Sequence, residues 1–190
     1  TLEDFESCLG NNNEANQIRE LIKNSYHESG NLSEATFKLV NQLFGNYGLL
    51  VLEPNKKNLK KLFINFFKKE LSDQFSFHSI EKQINNLKDN YSKTYSPQVN
   101  PRNINLFYLL PEGRYRIEKN DNKFVVKDTG KFFSENELID QLEKCPERFS
   151  PNVILRPLYQ EVLLPNLCYI GGAAEISYWL QLKTMFDKVE

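Results

Sequence analysis

Residues 33–71, SEATFKLVNQLFGNYGLLVLEPNKKNLKKLFINFFKKEL, decide the fold class. At their centre Leu49, Leu50, Val51 and Leu52 form a continuous apolar run between Gly48 and Glu53-Pro54. An uninterrupted run of this length, with no polar alternation, is how a strand covered on both faces reads, so a central parallel strand is expected. Before it, Ser33 can cap a helix in which Phe37, Val40, Leu43 and Phe44 recur near helical spacing. Gly45 and Gly48 supply the permissive backbone that ends it. After it, Leu59, Leu62, Phe63, Phe66, Phe67 and Leu71 share one helical face, while Lys56, Lys57, Lys60, Lys61, Lys68 and Lys69 fill most of the other. Helix, strand and amphipathic helix in succession make an α/β layer unit.

Outward from this unit the signals are local. Asn11-Asn12-Asn13 suits a turn or an N-cap, and Ile18, Leu21 and Ile22 then predict a helix over about 14–26. Ile80, Ile84, Leu87 and Tyr91 continue a further helix, and Pro97 and Pro101 mark a loop. A buried strand over 105–110 ends at Pro111-Glu112-Gly113. Residues 114–118 and 123–127 alternate polar and apolar around Asn120-Asp121-Asn122, the pattern of an antiparallel hairpin with one wet face. Ser134 with Glu137 three residues on is a capping box, which opens a helix to about Lys144.

Composition narrows the function. The 190 residues carry 24 basic and 25 acidic side chains, so no global basic field holds a nucleic-acid backbone. No apolar run approaches the roughly 18 residues needed to cross a bilayer, and the first residues lack a signal peptide's basic stretch followed by an apolar one, so neither a spanning nor an exported chain is expected. Cys8, Cys145 and Cys168 are widely spaced, and His27 and His78 stand on polar segments far from them. Neither a metal site nor a disulfide framework is expected, and a reducing cytoplasm fits. A chain that begins at Thr1 and whose only methionine is Met185 is expected to be part of a longer polypeptide.

The chemistry concentrates in 149–186. Ser150-Pro151 reads as a cap with proline at the first helical position, and Pro157 then stops or kinks that helix after about Arg156. Leu167, Cys168, Tyr169 and Ile170 read as a short buried strand, with Cys168 a packing thiol. Gly171-Gly172 follows, and Ala173-Ala174-Glu175 opens a helix. In a parallel sheet the crevice at such a turn accepts a phosphate or carboxylate, although the glycines equally serve tight packing. Arg156 and Gln160 sit in an apolar segment where a charge must be paired or face a cavity. Arg156 therefore meets either an anion or a carboxylate such as Glu161. Glu175 is either a helix-dipole partner or a contact for a substrate amine or hydroxyl. Tyr178 and Trp179 read first as core aromatics.

Residues 149–182, FSPNVILRPLYQEVLLPNLCYIGGAAEISYWLQL, resemble a signature of the bacillithiol biosynthesis cysteine-adding enzymes, the cysteine ligases. That family's pattern reads approximately FSPNVLLRPLVQ, then LLP, then GGPGEIAYWAQL. Asn152, Arg156, Pro157, Gln160, Pro165, Gly171, Gly172, Glu175, Tyr178, Trp179 and Gln181 coincide with it. Weaker echoes lie at Leu43-Phe44-Gly45 with residues 48–54, at Asn105-Leu106-Phe107-Tyr108, and at Arg114-Tyr115-Arg116-Ile117. Ala173-Ala174 stands where the family commonly has Pro-Gly, so the turn can differ in shape.

The resemblance implies an α/β, Rossmann-like layered sheet with flanking helices and an inserted antiparallel hairpin, a partial domain of a longer chain. Its parts would be 1–95, a helical segment with the first α/β unit; 96–148, a connecting strand, hairpin and helix; and 149–190, the second part of the core with the Gly-Gly turn. It implies a ligase that adds cysteine to glucosaminyl-malate in the last step of bacillithiol synthesis, with ATP or ADP as cofactor and no metal evident. A homodimer formed through a C-terminal coiled coil is also implied, as is inactivity of this piece alone. On that basis Arg156 and Glu175 are the catalytic candidates, and Asn152, Gln160, Gly171, Gly172 and Tyr178 the substrate- or nucleotide-binding ones. Two alternatives stay open. One is a non-catalytic nucleotide- or anion-binding segment; the other is a phosphate or membrane surface made by the lysines of 56–69, which otherwise read as a solvated face.

Overall fold

The computed structural model describes residues 1–121 and 123–189. They divide into two compact units, Thr1–Pro54 and Asn55–Glu190. The first unit holds α1 (Leu2–Cys8), α2 (Asn13–Tyr26) and α3 (Leu32–Phe44). Each helix starts where a side chain satisfies a free N–H group. Thr1 and Asp4 form a capping box on α1. The Asn12 side chain accepts from the Ala15 N–H at 2.8 Å to open α2, as the asparagine run predicts. Asn31 accepts from the Glu34 N–H at 3.0 Å to open α3, so the cap lies two residues before the expected Ser33. Gly48, at φ 81°, ends the short 3-10 turn Gly45–Tyr47 in a left-handed conformation that glycine adopts freely.

The expected strand at 49–52 does not form. Leu49 and Leu50 are 47% and 63% exposed. An apolar run becomes a strand only when neighbours take its N–H and C=O groups, and among the described residues this unit contains no strand to supply them.

The second unit opens with α4 (Lys57–Lys61), α5 (Ile64–Asp73) and α6 (Phe75–Asn90). The single lysine-faced helix is thus broken at Leu62-Phe63, where Phe63 has φ −105° and ψ 3°. Phe63, Phe67 and Leu71 still bury completely on one stripe, while Leu62 is turned 60% into solvent. The sheet comprises β1 (Leu106–Leu110), β2 (Gly113–Asn120), β3 (Lys123–Val126), β4 (Lys131–Ser134) and β5 (Phe149–Pro151). Its order is β4-β3-β2-β1-β5 and every pairing is antiparallel. The hairpin forms in the expected place, with Ile117 opposite Val126, although Asn122 of its turn lies outside the described residues. The result is a mixed α/β fold with an antiparallel sheet, where the sequence led to a parallel one.

Helix α7 (Glu135–Lys144) carries the expected Ser134/Glu137 box and packs Leu138 and Leu142 into the core. Helices α8 (Arg156–Leu163), α9 (Ala173–Trp179) and α10 (Lys183–Phe186) complete the unit. Three corrections concern this region. Ser150-Pro151 belongs to β5, an edge strand, where a missing N–H can be tolerated. Pro157 begins α8 rather than ending a helix, because the first turn needs no N–H from it. Residues 167–170 form no strand, and Leu167, Cys168 and Ile170 are exposed, so Cys168 is not a packing thiol.

The solvated-face reading of the lysines fails at one position. Lys60 is 1% exposed, with its ammonium 4.9 Å from the Tyr159 ring centroid and 5.9 Å from that of Phe67. Burial, helped by the charge of Arg114, pushes this amine down to about 8. A base depressed in the folded state costs stability while both states are charged, and the cost fades as pH rises from 8 towards the ordinary lysine value. Lys60→Met is therefore expected to raise stability at pH 7 by up to ~3 kcal/mol, less the lost ring contact. Urea unfolding of both proteins at pH 7 and pH 10 should show the gain shrinking at the higher pH; a gain equal at both would contradict a buried charge.

Candidate functional site

The start of α8 is built from Asn152. Its Oδ1 accepts from the N–H groups of Ile154 at 2.9 Å and Leu155 at 3.3 Å. Its carbonyl accepts from the Arg156 N–H at 2.9 Å. Its Nδ2 donates to Asn105 Oδ1 at 2.8 Å, which ties the turn to the protein interior. Asn152 therefore shapes the chain that presents Arg156, and its amide does not point to the Arg156 guanidinium.

The guanidinium is where the predicted residues converge. Arg156 donates through Nη1 to Gln160 Oε1 at 3.1 Å, one turn along α8. Through Nη2 it donates to Glu175 Oε1 at 2.6 Å and to the Tyr178 hydroxyl at 2.7 Å. The Tyr178 hydroxyl in turn donates to Glu175 Oε1 at 3.1 Å. The partner of Arg156 is thus Glu175, 19 positions on, rather than the adjacent Glu161, which instead accepts from Asn166. The ion pair is half-buried, with side chains 42% and 33% exposed, so it is partly wet and reachable.

Tyr169 joins the cluster. Its ring and the Glu175 side chain both stand against Gly171, and Tyr169 is the main cause that holds the Glu175 carboxyl below the usual carboxylate range, with Tyr178 and Arg156 adding to it. Burial and Glu175 push the Tyr169 phenol up, while Arg156 draws it partly back. Its ring stacks on Trp179 with centroids 3.9 Å apart and planes 15° from parallel, and Trp179 stacks on Phe186 at 5.9 Å. A Cβ on Gly171 would stand 2.9 Å from the Tyr169 ring, so the glycine allows the ring to fold back over the chain. The sequence hides Tyr169 because it counts as one more apolar strand position. The visible signal is an aromatic residue two positions before a glycine.

Gly172 caps α9, a helix of only seven residues, and the space beside Gly171 holds the Tyr169 ring. No strand precedes the turn, and on its Gly171 side it serves packing, the second of the two uses the sequence allowed. Chemically the cluster can hold an anion on Arg156, an amine or hydroxyl on Glu175, and a dipole on either phenol. Among the described residues no group of three His, Cys, Asp or Glu side chains is placed to hold a metal ion. No helix among them is long and apolar enough to cross a membrane.

Over residues 1–190 the chain matches the family described as bacillithiol biosynthesis BshC, N-terminal Rossmann-like domain. It is 46% identical over 181 residues to a protein of Flavobacterium johnsoniae, and 49% identical over 183 residues to one of Flavobacterium psychrophilum. A protein of Bacillus cereus is 32% identical over 175 residues. All three are named for the cysteine ligase BshC. The alignments cover 95%, 96% and 90% of this chain but 33%, 34% and 32% of the relatives, so the chain spans about a third of their length.

Proposed function

Because this chain belongs to the bacillithiol biosynthesis BshC family, we propose that it supplies part of the core of a ligase joining cysteine to the amine of glucosaminyl-malate. The observation that carries this reading is the convergence of Arg156, Gln160, Glu175 and Tyr178 on one half-buried ion pair, within the segment that resembles the family signature.

Amide formation near neutral pH needs an activated carboxyl carbon and an uncharged amine. The amine nitrogen forms the new bond, charge builds on the carboxyl oxygen, and the activating group leaves with its bonding electrons. Arg156 is suited to the oxygen, because its planar fork offers fixed donors where negative charge grows. Glu175, held ionised by its neighbours, is suited to the amine and the proton it loses. Gln160 holds the guanidinium from the α8 side and fixes its direction. The remaining two thirds of the protein would supply activation of the carboxylate and, through a coiled coil, a second copy, and this segment alone is expected to be inactive.

The test is metabolite extraction from cells lacking the full-length gene. Loss of bacillithiol with accumulation of glucosaminyl-malate is expected. An unchanged bacillithiol pool would remove the proposal.

A further inference from the structure

Apart from the Arg156–Glu175 pair, one face of the sheet gathers a second group of cations. A cleft of about 370 Å³ has in its walls Phe107 of β1, Arg114 and Arg116 of β2, and Lys127 and Asp128 just after β3. Arg114 and Arg116 are alternate residues of one strand and Phe107 pairs with Arg116, so the three side chains leave the same face. Their neighbours Tyr108 and Ile117 point the other way and bury in the core.

Arg114 is held twice. Its guanidinium carbon stands 4.0 Å from the Phe107 ring centroid, and Nη2 donates to the Pro151 carbonyl of β5 at 2.7 Å. Its Nε and Nη1 keep their donors without a protein acceptor among the described residues. The Arg116 side chain has no hydrogen bond or ion pair among them. Two carboxylates are near, and neither neutralises the arginines. Glu118 pairs with Lys127 at 3.5 Å, and Asp128, held at φ 62° in the turn after β3, makes no ion pair among the described residues. Cations gathered in a cleft with low-dielectric walls focus their field on an incoming anion.

The charges stand at two ends. Arg114 is drawn across β1 to β5, whereas Arg116 stays on the β3 side, where its carbonyl accepts from the Lys127 N–H at 2.9 Å. The Phe107 ring between them is apolar. Two carboxylates joined by a short carbon chain match this layout, and a single phosphate meets only one end.

We propose that this cleft binds a dicarboxylate, one carboxylate on Arg114 and the other on Arg116, and that in the ligase it holds the malyl end of the second substrate. The identity of the dicarboxylate rests on the ligase reading. A sugar on the malate hydroxyl leaves both carboxylates free to bind. The Pro151 carbonyl that anchors Arg114 directly precedes Asn152, whose side chain shapes the turn presenting Arg156, so cleft and ion pair are tied to one β5–α8 connection. The cleft selects the acceptor, and the pair acts on its amine and on the cysteine carboxyl.

Calorimetry on the purified full-length protein tests this with glucosaminyl-malate, L-malate, L-lactate and inorganic phosphate. Glucosaminyl-malate should bind and L-malate should compete with it. L-lactate, which has one carboxylate, and phosphate should compete roughly 10-fold more weakly than L-malate. Arg116→Ala removes a side chain that holds nothing in the fold, and it is expected to weaken glucosaminyl-malate binding about 10- to 100-fold, the range for one charge-assisted contact. Arg114→Met keeps packing on Phe107 without the donors and should have a similar effect. In turnover the loss should appear as a raised KM for glucosaminyl-malate, with the KM for cysteine unmoved. No binding of glucosaminyl-malate, binding that neither variant weakens, or phosphate competing as well as L-malate would each overturn the inference. The metabolite test fails separately. An unchanged bacillithiol pool, with L-malate still bound through Arg116, would end the ligase proposal and leave a dicarboxylate site; loss of bacillithiol with binding indifferent to both arginines would do the reverse.

Discussion

Arg156→Ala in the full-length protein is expected to lower cysteine-dependent product formation about 100- to 1,000-fold, the usual consequence of removing a preorganised donor from a developing oxyanion. Folding should barely respond, because the guanidinium is 42% exposed and its loss frees partners that water can reach. Arg156→Lys keeps the charge but cannot reach Gln160, Glu175 and Tyr178 with one rigid fork, so it should recover only part of the rate. Glu175→Gln should fall with Arg156→Ala and add little in the double variant, since the two act as one unit. The readout is kcat/KM for the purified full-length protein, with circular dichroism as a check on folding. A loss of less than threefold in Arg156→Ala would mean that the pair only ties α8 to α9.

The second large effect lies beneath the site. Glu70 is fully buried, and its carboxylate accepts from the Asn105 N–H at 2.8 Å, the Ser76 hydroxyl at 2.8 Å and the Ser76 N–H at 3.1 Å. Burial still pushes this carboxyl up, against the pull of those donors. Asn105, also fully buried, donates through Nδ2 to the Ser76 hydroxyl and to the Arg102 carbonyl, and accepts from Asn152 through Oδ1. Asn105→Ala would leave the buried Ser76 hydroxyl and the part-buried Arg102 carbonyl and Asn152 amide without those partners. The expected cost is about 3–5 kcal/mol, a large share of a domain's stability. Urea unfolding measures it, and a shift below about 1 kcal/mol would mean that the network relaxes or hydrates. Because Asn152 builds the turn before Arg156, activity should fall even at temperatures where the variant remains folded.

The comparison of sequence with structure divides along a physical line. Most signals that act within four residues were legible: the Asn12 cap, the Ser134/Glu137 box and the alternation on either side of the hairpin each found their element, whereas the caps expected at Ser33 and Ser150 did not. Signals that depend on partners elsewhere were not. The apolar runs at 49–52 and 167–170 look like covered strands, but their covering layers and pairing neighbours are properties of the surroundings, not of the runs. Pro157 has opposite meanings at the two ends of a helix, and only the position of Asn152 as a turn-former decides between them. Lys60 follows the lysine pattern yet is carried inward, because its turn of helix faces Tyr159.

In the candidate site Arg156, Gln160 and Glu175 were legible from the residues themselves, and Tyr178 only through the family resemblance. Arg156 in an apolar segment had to be paired or face a cavity, and Glu175 at a helix start was one of few carboxylates nearby, so both stood out. The structure adds the joining dipole of Tyr178, from a position that read as core, and the Tyr169 ring beside Gly171, from one that read as strand. Of the two uses the sequence allows Gly171, the structure displays packing, with the Tyr169 ring folded against it.

The most direct measurement is a crystal structure of the full-length protein grown with L-cysteine. The cysteine carboxylate should lie on the Arg156 guanidinium, with Glu175 freed to face the second substrate. Cysteine bound elsewhere, with Arg156 still closed on Glu175, would contradict the assignment of this pair as the substrate site.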